Sequence, residues 1–164
     1  MIFVTIGTVF PFDRLIQSMD DWAGTEGNTP HVLAQIGRGA YHPKNLEWHA
    51  SLPGEGYAQA VAEASVIVSH AGMGSAITAM QASKPIVMLP RRFEAGEHNT
   101  NHQMATARWL AEKPGVFIAW DETELAERID EALVWTGAGT ALKPVAPKDF
   151  TDRLAAQLER WTRA

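Results

Sequence analysis

Cysteine is absent from the 164-residue chain, which removes disulfides, thiolate nucleophiles and cysteine-ligated metals and suits a reducing compartment. Positive charge is also scarce. The 14 basic residues are outnumbered by 19 acidic ones, for a formal charge of -5, so the chain as a whole has no electrostatic pull toward nucleic acid or anionic lipid. Any anionic ligand has to be held by local geometry. No apolar run reaches the length of a membrane span, and the opening MIFVTIG carries no basic leader, so neither export nor insertion is expected of these residues. A GxxxxGK[ST] run is missing too, which excludes the P-loop manner of gripping ATP or GTP.

What remains is 46% hydrophobic, enough for one core and too short for two ordinary domains. Short β-branched runs at residues 2–6, 31–36, 66–68, 86–89 and 116–118 alternate with helical spacing. Phe12, Leu15, Ile16 and Met19 fall at i, i+3, i+4 and i+7; Leu125, Ile129 and Leu133 keep that period behind a cap at Asp121 with Glu124 three residues on; Phe150, Leu154, Leu158 and Trp161 form a last stripe. Strands apolar on both faces and separated by helices predict an α/β fold with a Rossmann-like parallel sheet covered on both sides. The expected organisation is one domain over residues 1–135, a Gly/Ala/Pro-rich linker at 136–148, and a C-terminal helix at 149–164 that either completes the domain or forms a partner-binding arm. Trp22, Trp109, Trp135 and Trp161 sit on or beside helical stripes; packing is their ordinary role, with a subset left to form a patch for a partner.

In open parallel sheets, ligands bind beyond the carboxyl ends of the strands. Those ends carry Gly7-Thr8, Gly37-Arg38-Gly39, the run SHAGMGS at 69–75 and the segment 90–103, and all four are expected to converge on one edge. Gly72 and Gly74 clear side chains from the free N–H groups of the helix that follows, where a diphosphate is stabilised by those donors and the helix dipole, and Ser75 adds a hydroxyl. A lone GxG is more often only a turn, with Ser75 as an ordinary cap, so context decides. Ile77 occupies the third glycine position of the dinucleotide fingerprint and Leu89-Pro90-Arg91 brings no acidic residue to the next strand end, so NAD is not expected. The run RRFEAGEHNTNHQ at 91–103 is dense in donors and acceptors, and Glu97, Asn101, His102 and Gln103 suit a polyhydroxylated ligand. His98 and His102 at i and i+4 are an incomplete ligand set, so no metal is expected. Arg38, Arg91 and Arg92 would favour an anionic sugar if they faced the pocket.

As an ordered set, MIFVTIGT, FPFDRLI, VSHAGMGSAITAM, KPIVMLPRR and GEHNTNHQ leading into Ala105-Thr106-Ala107 resemble the donor-binding catalytic subunits of bacterial exopolysaccharide glycosyltransferases. The same set resembles the yeast dolichol-linked chitobiose-forming transferase subunit and the C-terminal domain of MurG, over roughly residues 1–135. The resemblance implies a single GT-B C-terminal-type domain that takes a UDP-sugar as substrate, without cofactor or metal. It also implies a membrane-anchored acceptor-binding glycosyltransferase subunit as partner, presenting a lipid-linked acceptor, and hence a cytoplasmic location, peripheral on the inner face of the membrane. No nucleic-acid partner is implied. By the same analogy Gly7 and Thr8 lie beside the diphosphate, the turn at Leu52, Pro53 and Gly54 faces uracil through backbone groups, and His70, Gly72, Gly74 and Ser75 hold phosphate. His102 and Gln103 meet the sugar, with His98 counted in the same group. Thr78 stands where MurG-type sequences carry a ribose-binding glutamate, as it does in the exopolysaccharide branch; a threonine makes a weaker, single contact, which shifts ribose recognition toward Glu97 or another group. The general base is expected on the partner, with His102 as the local alternative.

Two other readings stay open at the level of sequence. One is a self-sufficient nucleotide-sugar epimerase or hydrolase using His70, His98 or His102 as acid or base. The other is a non-catalytic UDP-sugar-binding subunit.

Overall fold

The computed structural model describes residues 1–25, 30–137 and 148–162. Its strands are β1 (Ile2–Thr5), β2 (Val32–Gln35), β3 (Glu47–His49), β4 (Val66–His70), β5 (Ile86–Leu89) and β6 (Val116–Ile118). They form one sheet in the order β3-β2-β1-β4-β5-β6, with each neighbouring pair parallel. The helices are α1 (Asp13–Ala23), α2 (Gly54–Glu63), α3 (Met73–Gln81), α4 (His102–Leu110), α5 (Leu125–Leu133) and α6 (Lys148–Thr162). This is the Rossmann-like α/β architecture expected from the alternation of runs and stripes.

The pleat sends alternate strand residues to opposite faces, and both faces are buried. Ile2, Val4, Ile6, Val32, Ala34, Val66 and Val87 pack with α1 and α5 in one core cluster. Phe3, Ile67, Ile86 and Met88 pack with residues of α2, α3 and α4 in the other. The α1 stripe is realised as read, with Leu15, Ile16 and Met19 buried and Phe12 buried just ahead of the helix. In α5, Leu125 and Ile129 are buried, whereas Leu133 is 37% exposed, so that stripe ends a turn early. The cap before α5 is offset from the expected box: Asp121 accepts from Thr123 N at 2.8 Å, and Glu124 accepts from Trp120 N at 3.0 Å, one residue upstream of the cap. A single 3₁₀ turn at Glu122–Glu124 absorbs the offset.

β3 departs from the sequence reading, which anticipated no strand there. Its residues are exposed, half-buried and exposed in turn, because an edge strand of three residues with only Trp48 turned toward the core leaves no apolar run to detect. Of the expected linker at 136–148, residues 138–147 lie outside the described residues. α6 begins at Lys148 and buries none of its side chains; Phe150, Leu154, Leu158 and Trp161 are all 48% exposed or more. Trp22 packs partly buried against one core cluster, while Trp109 is exposed with the Lys113 ammonium 4.7 Å over its ring. Among the described residues no helix is long and apolar enough to cross a membrane.

β1 has β2 on one side and β4 on the other, so the chain winds outward in both directions from this pair. That reversal of strand order opens a crevice above the carboxyl ends of β1 and β4.

Candidate functional site

The crevice is occupied by a cavity of about 610 Å³. Its floor follows from register. Gln35 pairs with Thr5, and Thr5 with Ser69, so three polar residues stand in a row on the same face at the carboxyl ends of β2, β1 and β4. All three are buried, at 6%, 1% and 0% exposure. Lining residues then run along the edge in strand order: Gln35 and Leu52 at one end, Gly7 and Thr8 over β1, His70, Gly72, Gly74 and Ser75 over β4, and His98, His102 and Gln103 beyond β5. With strands about 4.8 Å apart, the line from β2 to β5 spans on the order of 15 Å.

At the centre, the His70 imidazole is clasped by two glycines. A Cβ on Gly7 would lie 3.0 Å from His70 Cε1, and one on Gly72 would collide with His70 Nε2. Gly7 also holds φ at +76, a left-handed conformation that other residues rarely adopt. Burial, and then the neighbouring Arg91 charge, push the His70 pKa down to about 4, so the ring is neutral near pH 7; its Nδ1 lies 3.2 Å from Ser69 Oγ. Gly72 caps α3 from an extended conformation and its carbonyl takes the Ala76 N–H at 3.2 Å. The first-turn N–H groups of Met73, Gly74 and Ser75 therefore have no helical acceptor. A Cβ on Gly74 would meet nothing within 4 Å, so the glycine leaves that space to the cavity.

Arg91 builds the opposite wall. It is 2% exposed, and its guanidinium donates to the carbonyls of Ile6 (2.7 Å), Phe10 (2.8 Å) and Glu97 (3.2 Å) and to that of Pro11 while lying 4.5 Å over the Phe12 ring. Burial lowers its pKa to about 10, opposed by Glu97; the group stays charged. Its donors are spent on fixing the loop 6–11 that carries Gly7 and Thr8. Gln103, 3% exposed, accepts from Arg91 N at 3.1 Å through Oε1 and also lines the cavity. His98 sits between Phe10, tilted at 51° with ring centroids 4.9 Å apart, and His102, edge-on at 4.5 Å. Partial desolvation, then His102 and Arg91, lower its pKa. Thr100 Oγ1 lies 2.5 Å from His102 Nδ1.

Eleven of the residues singled out from sequence thus line one cavity: Gly7, Thr8, Leu52, Gly54, His70, Gly72, Gly74, Ser75, His98, His102 and Gln103. Four do not. Glu97 is held by Arg14 in a bidentate pair, 2.7 and 2.8 Å, and accepts from Arg92 N at 2.8 Å; its carboxylate fastens the loop instead of meeting a sugar or a ribose. Asn101 bridges Phe93 N and Glu94. Thr78 turns back onto the Gly74 carbonyl at 3.0 Å. Pro53 caps α2 and leaves the lining to its neighbours. Of the four strand-end segments, Gly37-Arg38-Gly39 also stays outside: Gly39 packs closely on Asp13, and Ala40 N donates to Asp13 Oδ2 at 3.1 Å, tying that turn to α1. Arg38 is exposed and Arg92 lies toward Glu122 and the Trp120 carbonyl, so of the three arginines only Arg91 reaches the cavity.

The sequence reading missed Thr5, Val9, Phe10, Gln35, Ser51 and Tyr57, which complete the lining. Thr5 and Gln35 were detectable as the single polar residues at the carboxyl ends of apolar runs. Tyr57 stands one helical turn beyond the Leu52-Pro53-Gly54 turn, edge-on to Phe3 at 5.2 Å. Among the described residues no group of three or more histidine or carboxylate side chains is placed to hold a metal ion. The N–H groups of Met73, Gly74 and Ser75 without helical acceptors give the centre of the site donors suited to an anion.

The profile of the glycosyltransferase family 28 C-terminal domain matches residues 1–138. No curated protein matches the chain by sequence. Among solved structures it is similar to CalG4, the calicheamicin glycosyltransferase, at 19% identity and a TM-score of 0.65, over 97% of this chain and 43% of that one. It is similar to MurG of Acinetobacter baumannii at 21% identity and 0.55, over 79% and 40%. ALG13 matches at 16% identity and 0.57, over 93% of both chains. The chain therefore spans less than half the length of CalG4 and MurG and nearly the whole of ALG13, and at these identities the likeness speaks for the fold. The family match covers most of the 164 residues, and the chain belongs to the glycosyltransferase family 28 C-terminal domain family.

Proposed function

We propose that this domain is the donor-binding half of an inverting glycosyltransferase, holding a UDP-sugar across the carboxyl edge of its sheet. The observation that carries the reading is the open glycine-lined start of α3 facing Gly7 and Thr8 across the β1/β4 crevice. Backbone donors and a helix dipole are preorganised there for a diphosphate, with no lysine clamp. Laid along the lining, the nucleoside falls toward Gln35 and Leu52 and the sugar toward His98, His102 and Gln103.

In the reaction, an acceptor hydroxyl attacks the anomeric carbon from the side opposite the diphosphate. The new C–O bond forms as the bond from that carbon to the β-phosphate oxygen breaks, the configuration inverts from α to β, and the hydroxyl proton passes to a base. UDP leaves with its developing charge facing the α3 N–H groups and the neutral His70. The cavity is open to solvent: Val9, which lines it, is 76% exposed. A closing second piece is supplied, in this reading, by a membrane-anchored subunit that brings a lipid-diphosphate-linked acceptor and the base, with His102 as the local alternative.

Calorimetric titration of the chain with UDP, a panel of UDP-sugars and NADH, first with EDTA and then with Mg²⁺, tests the reading. Micromolar UDP binding, tightened by one sugar and insensitive to Mg²⁺, is the expected result. NADH binding without UDP binding overturns it.

A further inference from the structure

The base end of the cavity contains a side chain whose orientation is fixed by the backbone. Gln35 closes β2, is 6% exposed, and lines the cavity together with Ser51, Leu52, Gly54 and Tyr57. Its Oε1 accepts the Leu52 N–H at 2.9 Å. That bond has two consequences. Leu52 N–H is spent inside the protein and is not available to a ligand, and Pro53, which follows, has no N–H to offer. The turn expected to read the base through its backbone has therefore lost two of its donors. The second consequence concerns the carboxamide itself. A free glutamine can flip and present either edge; here a flip would set the NH₂ group against Leu52 N–H, donor to donor, inside a buried site. The oxygen stays with Leu52, and the amide hydrogens are the edge left for the cavity.

We infer that Gln35 is the residue that selects the base, donating from Nε2 to the 4-carbonyl of a pyrimidinedione such as uracil. The inference rests on the donor-site reading above and adds its specificity. Cytosine carries an amino group at that position, so its N–H would confront the Gln35 N–H and leave both unpaired in a buried site; a neutral donor facing a donor is the arrangement that gives strong rejection at low cost in contacts. Gln103 follows the same plan at the other end of the site. Its Oε1 is also spent on a backbone N–H, that of Arg91, so both ends of the site present a pinned amide as a donor.

The substitution that isolates the role is Gln35→Glu. A carboxylate keeps one oxygen for Leu52 N–H and turns the other, an acceptor, toward the ligand. The added charge weakens every nucleoside diphosphate alike, so the readout is the ratio of UDP to CDP affinity, measured by competition on one protein sample; it does not depend on the fraction folded. The expected result is at least tenfold preference for UDP in the unaltered chain and a fall of tenfold or more in that ratio for Gln35→Glu, with Gln35→Met, which removes both hydrogen bonds, in between. UDP binding with an unchanged ratio in Gln35→Glu overturns the role of Gln35 and leaves the donor-site reading standing. Failure of the unaltered chain to bind either nucleotide overturns the donor-site reading, and this inference with it.

Discussion

His70 is a half-buried imidazole held between two glycines, Gly7 and Gly72. Its pKa lies near 4 in the fold against 6.5 for the unperturbed group, so between those values the unfolded chain binds the proton and the folded chain does not. The contribution to stability is complete above about pH 6.5 and is lost as the pH falls toward 4. Thermal unfolding of the unaltered chain and of His70→Asn is expected to show the difference in Tm shrinking from pH 7 to 4.5; a constant difference would mean that the ring is not held neutral. The glycines around this histidine were legible in the sequence because a glycine is needed where the backbone itself must approach a ligand or a ring. Glu97 and Asn101 were not legible as loop braces, nor Thr78 as a side chain turned back onto its own helix. A polar side chain in a polar loop serves a ligand or its own loop equally well on paper; Asn101 and Thr78 find their partners within eight residues, whereas Arg14, which decides the matter for Glu97, lies 83 residues away in sequence.

At the level of elements, the strand that runs into α3 carries the central part of the site, and its geometry separates binding from folding. Gly74 has open space where a Cβ would go, so Gly74→Asp is expected to fold with a Tm within a few degrees of the unaltered chain while losing UDP affinity by about 100-fold or more, roughly 3 kcal/mol. Gly72→Ala should behave differently, since its methyl group displaces His70. A Gly74→Asp protein that binds UDP normally would remove α3 from the phosphate site. Five of the strands could be read from their apolar runs because burial on both faces demands them. β3 could not, since an edge strand held by three backbone pairs and one tryptophan imposes almost no composition.

At the level of the whole molecule, α6 stands apart from the other described α-helices in having no buried residue. Its stripe was legible as a helix from spacing alone, but what the stripe packs against is not encoded in spacing, and we propose the separate acceptor subunit as its cover. Removing residues 138–164 is expected to change urea unfolding by less than about 0.5 kcal/mol while abolishing association with that subunit in a pull-down; an intact association would assign the interface to the cavity rim instead. The opposite case is Arg91. The loop at 6–11 is made before the side chain that fastens its carbonyls, which comes 80 to 85 residues later. The loop is therefore synthesised well before Arg91 can bond its carbonyls, and closure over that distance must precede its final shape. On the donor-site reading proposed above, a chain that stops short of Arg91 lacks the side chain that fastens this loop, so nucleotide binding is expected only after the fifth strand has joined the sheet.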